Sequence, residues 1–170
     1  MSTLKFERLQ DEIEDLIHLY THTSWDFHAD PKREEKEVRK LFQSGWFTED
    51  KETYWVIDEG ERIGLLVLGD ISDTMPLFQD IRLHKKVRGK GYGQLCVEWA
   101  IDYIFSSSKE KLRMEAYTRA DNQAMRRVFE KTLFQKEGYL RSSWEQVNGK
   151  VYDSILFAVI RADWEKANSL

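Results

Sequence analysis

One segment limits the folds open to this chain more than any other: "VRGKGYGQLCVEWAIDYIF", residues 87–105. Gly89, Gly91 and Gly93 alternate with Lys90 and Tyr92 behind Arg88, and a largely apolar stretch follows. Alternating glycines free the backbone to bend and let a ligand come close to its N–H groups. The apolar stretch predicts a helix from about Tyr92 to Phe105. Its polar positions Gln94, Glu98 and Asp102 fall on one line four residues apart, so the helix should be mostly buried against a sheet. A glycine loop that runs into a helix N-terminus is an anion site suited to a pyrophosphate. The alternative is a plain strand-to-helix turn.

Lys85, Lys86, Arg88 and Lys90 make a basic cluster at this loop, although the whole chain carries a formal charge of -4. A global pull on nucleic acid is thereby excluded, and any anion site is local. The 170 residues suffice for one domain, 1–170, with a sizeable core. Cys96 is the lone cysteine, which rules out an internal disulfide and suits a small core residue. His18, His22, His28 and His84 show no metal-ligand spacing, so no metal is expected. No apolar run approaches about 18 residues, and the N-terminus lacks a signal-like apolar core. A cytoplasmic protein with no membrane partner is expected.

Elsewhere the periodicities set an element order. Thr3 to Leu9 alternates as a strand. "DEIEDLIHLYTHTSW" is a helix with Ile13, Leu16, Ile17 and Tyr20 on one face. "SWDFHADP" is a loop whose acidic residues could attract a cation, though a bare surface loop explains them as well. "KREEKEVRKLFQSG" is a second helix stopped by Gly45, its charge run a solvated face. "TYWVID" and "RIGLLVLGDI" form a hairpin, and "MPLFQDIRLHKK" is a further strand. After the glycine-loop helix come a strand "KLRMEAYT", an amphipathic helix "ADNQAMRRVFEKTLF", and a long hairpin turned at Asn148-Gly149. The order β-α-α-β-β-β-α-β-α-β-β predicts an α/β fold of the α+β type. Its sheet is mixed, mostly antiparallel and of about seven strands, with helices on both faces.

A Walker loop would end Gly-Lys-Ser/Thr, and a dinucleotide loop would read G-x-G-x-x-G after a parallel strand. This loop, G-x-G-x-G after a meander, fits neither. "RGKGYG" instead resembles the R-x-x-G-x-G loop of the GNAT superfamily of acetyl-coenzyme A-dependent N-acetyltransferases. "NQAMRRVFEKTLF" resembles that family's following helix, and the element order agrees. The stretches "DIRLHKKVRGKGYGQ", "RADNQAMRRVFEK" and "NGKVYDSILFAVIRADW" most resemble the branch that includes ribosomal-protein N-terminal acetyltransferases. The likeness is densest from Asp80 to Lys131.

The resemblance implies acetyl-coenzyme A as co-substrate. Backbone N–H groups of Arg88, Gly89, Lys90, Gly91, Tyr92 and Gly93 would hold its pyrophosphate. The strand backbone at Ile81, Arg82 and Leu83 would pair with the pantetheine arm. This strand and "KLRMEAYT" would splay to admit the arm. Asn122 would bond the arm as well as cap its helix. Phe129 occupies the place where many members carry a tyrosine thought to protonate the leaving thiolate; a phenylalanine has no such proton and would pack beside the thioester. Leu133 stands where the family usually has glycine, which bears on the turn after the helix.

Acetyl transfer needs a neutral amine, a stabilised oxyanion, here by an N–H near Leu83, and a thiolate that can leave. A lysine-like amine with pKa ~10.4 costs about 4.6 kcal/mol to neutralise near pH 7, and an α-amine near ~8 roughly 1.4 kcal/mol. A carboxylate base suits either. Glu115 is the candidate, with Tyr117 on the same side of its strand, although a solvent-facing Glu115 fits the strand equally well; a water, Tyr117 or another hydroxyl would stand in for the acid that Phe129 lacks; Asp80 is a weaker choice. The expected acceptor is a primary amine, on a small molecule or a protein N-terminus, and the protein could itself be a homodimer. From another class, a catalytically silent acyl-coenzyme A sensor would bind the coenzyme and release no thiol.

Overall fold

The computed structural model describes residues 3–169. Along the chain lie β1 (Lys5–Arg8), α1 (Ile13–Thr21), α2 (Glu35–Gln43), β2 (Lys51–Asp58), β3 (Glu61–Gly69) and β4 (Leu77–Leu83). There follow α3 (Tyr92–Ser107), β5 (Arg113–Arg119), α4 (Gln123–Glu130), β6 (Gln135–Glu145), β7 (Val151–Ile160) and α5 (Arg161–Asn168). The strands form one seven-stranded sheet in the order β1-β2-β3-β4-β5-β7-β6. Every neighbouring pair is antiparallel except β4–β5, which the α3 crossover makes parallel. The expected fold class therefore stands.

Both faces of the sheet are covered. Leu16, Leu19 and Tyr20 of α1 and Val38 of α2 pack on Trp55, Ile57, Leu65 and Val67. On the other face, Cys96, Val97, Ala100, Ile101 and Ile104 of α3 and Phe129 of α4 pack on Tyr54, Val56, Leu66, Leu68, Phe78, Met114 and Ala116. Two-sided burial is why β2 and β3 read as continuous apolar runs rather than alternating ones. Three boundaries differ from the sequence expectation. The first strand is only Lys5–Arg8, the length that finds partners on β2. A helix, α5, follows β7 without a break; it offers one large apolar residue, Trp164, too little for a periodic signal. Trp164 tilts against Phe105 and donates its indole N–H to Asp102 at 2.8 Å. Finally, α4 ends without a left-handed residue at Leu133, so the missing glycine is not needed for that turn.

One irregularity decides what faces the site. The β3–β4 register runs Val67↔Asp80 and then Leu68↔Phe78, leaving Gln79 as an extra residue on β4. Strict alternation would put Phe78, Asp80 and Arg82 on one face. The bulge separates them. Phe78 joins the α3 and α4 core, while Asp80 and Arg82 turn toward α1 and α2.

No helix among the described residues is long and apolar enough to cross a membrane.

Candidate active site

The parallel ladder between β4 and β5 holds two residue pairs, Leu77↔Glu115 and Phe78↔Ala116. Beyond Phe78 the strands part, and the β4 backbone from Asp80 to Leu83 has no ladder partner on the β5 side. A wedge-shaped notch results, the splay expected from the resemblance. Each edge of it carries peptide groups that an extended, amide-bearing chain can pair with.

The glycine loop stands at the open end, reached from β4 through a short turn of 3₁₀ helix at Lys85–Val87. Gly89 and Gly91 have φ of +73° and +88°, the left-handed region that disfavours other residues. A Cβ built on either would meet no atom within 4 Å, so the loop is open on the side where a side chain would stand. Gly91 is also the N-cap of α3, whose first amide groups have no side-chain acceptor. Gly93 differs. A Cβ there would stand 3.3 Å from Val128, so its smallness serves the packing of α3 on α4.

Side chains around the loop are partly committed. The Tyr92 hydroxyl donates to Asp58 at 2.6 Å, which ties this side chain to the end of β2. Arg88 donates its Nε–H to the Leu83 carbonyl at 2.9 Å and stacks over Trp25 at 4.7 Å. Lys90 is exposed. Asn122 caps α4, accepting from the Met125 N–H at 3.2 Å. Phe129 is buried to 2% exposure and touches Phe78, Phe134 and Phe157. It therefore lies under the apex of the notch, where Phe78 makes the last rung.

On the α1 and α2 side, Asp80 and Arg82 form a buried ion pair at 2.9 Å, with the Arg82 guanidinium 4.1 Å from the Tyr20 ring centre. Burial alone would raise the Asp80 carboxyl. Arg82 and His28 overcome it and hold the group well below the usual carboxylate range. On β5, Glu115 is at the paired end of the notch. Its Oε1 accepts from Arg113 at 3.0 Å and its Oε2 from the Tyr117 hydroxyl at 3.1 Å. Burial, then the Glu115 carboxylate, raise the Tyr117 phenol above its ordinary value, so it keeps its proton at neutral pH.

A roof spans these walls, and sequence reasoning left it as a surface loop. The segment 24–33 is bonded to three elements. His28 meets Asp80 on β4 at 2.8 Å. Arg119 of β5 donates to the Asp26 carbonyl at 3.0 Å. In the β6–β7 turn, Gln146 donates to the carbonyls of Asp26 and His28, and the Val147 N–H to that of Ala29. No local pattern in "SWDFHADP" announces such long-range partners. The described residues hold no group of three or more His, Cys, Asp or Glu able to bind a metal.

Comparison with known proteins follows this geometry. The family model described as "Acetyltransferase (GNAT) domain" matches residues 4–135. No curated protein matches the chain. Among solved structures, spermidine N-acetyltransferase from Vibrio cholerae in complex with CoA and spermine superposes with a TM-score of 0.78 at 19% identity, covering 95% of this chain and 97% of that one. The manganese complex of spermidine/spermine N-acetyltransferase SpeG from the same organism gives 0.74 at 21% identity over 98% and 96%. Its dodecameric form gives 0.75 at 18% identity over 95% of each chain. At such identities the likeness speaks for the fold.

Proposed function

We propose that this chain, which belongs to the GNAT acetyltransferase family, moves the acetyl group of acetyl-coenzyme A directly onto the primary amine of a small molecule. Membership makes it an acetyl-coenzyme A-dependent N-acetyltransferase. The observation that carries the reading is the parting of β4 from β5 after Phe78 and Ala116, beside a glycine loop that opens onto free space.

In this reading the loop N–H groups from Arg88 to Gly93 hold the pyrophosphate, Arg88 and Lys90 add charge, and the β4 backbone at Ile81, Arg82 and Leu83 pairs with the pantetheine amides. Asn122 adds a polar contact, and Phe129 supports the thioester end from below. A β4 N–H polarises the thioester carbonyl. Tyr117 supplies the proton that the departing thiolate takes up, and Glu115 orients its hydroxyl. No protein nucleophile is required. Cys96 is fully buried, and burial pushes its thiol up to about 12.

A small acceptor is favoured over a protein N-terminus by the roof. Its bonds to β4, β5 and the β6–β7 turn tie segment 24–33 down beside the notch, which in this reading suits the end of a slender molecule better than a broad chain. The structural neighbour solved with spermine agrees with an amine of that kind. The likeness to ribosomal-protein N-terminal acetyltransferases supplies the other acceptor class to be tried.

Thiol release from acetyl-coenzyme A tests this, with a panel of polyamines, other small amines and N-terminal peptides. Turnover is expected with small amines. Turnover with peptides alone would reassign the acceptor. Coenzyme binding with no thiol released by any amine would make the protein a sensor, the outcome that Phe129 in place of a tyrosine would then explain.

A further inference from the structure

Trp25 lies where the roof meets the glycine loop. Its backbone N–H donates to the Pro31 carbonyl at 2.9 Å, and its carbonyl accepts from the His28 N–H at 2.9 Å, so segment 24–33 closes on itself around this residue. The ring is 5% exposed and packs in the core formed by α1, α2 and the sheet. Two guanidinium groups lie over it, that of Arg88 at 4.7 Å and that of Arg82 at 5.2 Å from the ring centre. Arg82 is already paired with Asp80 at 2.9 Å. Arg88 is not so paired. It is an exposed residue with no ion pair among the described residues, and its one side-chain hydrogen bond there runs from Nε to the Leu83 carbonyl at 2.9 Å.

That carbonyl belongs to the notch. The His84 N–H donates to the Ile63 carbonyl at 2.8 Å, on the β3 side. Peptide groups alternate in direction along a strand, so those of Leu83 point away from β3, to the side from which β5 has parted. One guanidinium thus meets the notch edge with its Nε–H and the roof with its face. Its Nη groups have no hydrogen-bond partner among the described residues.

From this arrangement we infer that Trp25 is a positioning residue for the coenzyme. Its indole face holds the Arg88 guanidinium at the open end of the notch, with the Nη edge left for the pyrophosphate carried by the glycine loop. The inference rests on the acetyltransferase reading above and adds to the coenzyme site a residue from segment 24–33. The physical gain is pre-organisation. A mobile arginine loses rotamer freedom when it grips an anion, and that loss lowers affinity. A guanidinium held on a ring face and by one N–H has lost it beforehand. The ring also attracts the cation without neutralising it, whereas a carboxylate in the same place would compete with the phosphates. Burial lowers Arg88 from its ordinary range and the Asp26 carboxylate opposes this, yet a guanidinium stays charged at neutral pH.

Calorimetry with coenzyme A tests this on wild type, Trp25→Leu, Arg88→Ala and the double variant. Trp25→Leu keeps an apolar side chain in the core and removes the aromatic face. Affinity should fall about 10-fold, equal to about 1.4 kcal/mol. In the Arg88→Ala background the same change should cost less than about twofold, because no guanidinium is left to hold. Trp25→Phe retains a ring face and should stay within about threefold of wild type. Equal losses from Trp25→Leu in both backgrounds would mean that the ring only supports the fold, and would overturn the inference while leaving the acetyltransferase reading intact. A loss from Trp25→Phe as large as that from Trp25→Leu overturns it too. A wild type that binds no coenzyme A overturns both readings. Should Trp25→Leu fail to fold, Arg88→Lys decides, since it changes an exposed position and keeps the charge without the stacking plane. Affinity within about twofold of Arg88→Ala upholds the positioning role, and any affinity nearer that of wild type overturns it.

Discussion

Phe78 of β4 and Ala116 of β5 are the last residues paired between the two strands, and each is backed by the buried ring of Phe129 or its neighbours in the same core. The apex of the notch is therefore packed directly on the core.

Phe129 should matter first as packing. Its truncation to alanine removes a ring in contact with three others and should cost about 3–5 kcal/mol of stability. Phe129→Tyr adds a hydroxyl to a core of aromatic rings. It should be tolerated only if that hydroxyl reaches the thioester, in which case turnover holds or rises. Denaturant melts together with thiol release distinguish the two results, and a stable but slower Phe129→Tyr would remove the thioester from its surroundings.

Gly91→Val should act on the ligand and Gly93→Val on the fold. Position 91 has open space but a φ of +88°, so valine strains the backbone by about 1–2 kcal/mol and fills the approach to the N–H groups. Coenzyme affinity should drop at least ~10-fold, a loss of about 1.4 kcal/mol. Valine at 93 meets Val128 instead and should lower the melting temperature by separating α3 from α4. Calorimetry on folded Gly91→Val showing unchanged affinity would refute the loop assignment.

Salt should weaken coenzyme binding, because the loop is a local positive patch on a chain with a formal charge of -4. Lys90→Ala should flatten this dependence with little other effect, since Lys90 is exposed. Arg88→Ala should cost more, because it also removes the stack on Trp25 and the bond to the Leu83 carbonyl. Affinities measured from low to high salt that coincide for wild type and Lys90→Ala would make the cluster incidental.

Tyr117→Phe should slow turnover and leave coenzyme affinity intact, and adding Glu115→Gln should slow it little further. Groups that act as one unit are not additive, and a double-mutant cycle reads the coupling. Fully additive losses would mean that Glu115 does not work through the Tyr117 hydroxyl.

Alkaline stability should carry the signature of Cys96. Burial pushes its thiol up to about 12, whereas an unfolded thiol ionises near ~8.5. The folded state keeps a proton that the unfolded state loses. The stabilisation is thus complete below pH ~8.5 and drains as pH rises toward the folded value, on the order of 1.4 kcal/mol per pH unit. Cys96→Ala should flatten the fall between about pH 8.5 and 10, before tyrosines titrate. Unfolding free energies measured across that window decide it, and an unchanged slope would exclude Cys96 as its source.

What the sequence determined by itself was local. Alternating glycines before an apolar run set the loop and α3, Asn122 set the start of α4, and Asn148-Gly149 set the last turn, since each depends on backbone preferences within a few residues. Those spacings also carried the family resemblance. Tertiary structure alone decided which side chains meet. The extra residue Gln79 turns Asp80 and Arg82 away from Phe78, and a bulge comes from the register with β3, which no two-residue period within β4 encodes. His28 reaches Asp80 across 52 positions because α1, α2 and the β6–β7 turn fold the roof over the notch.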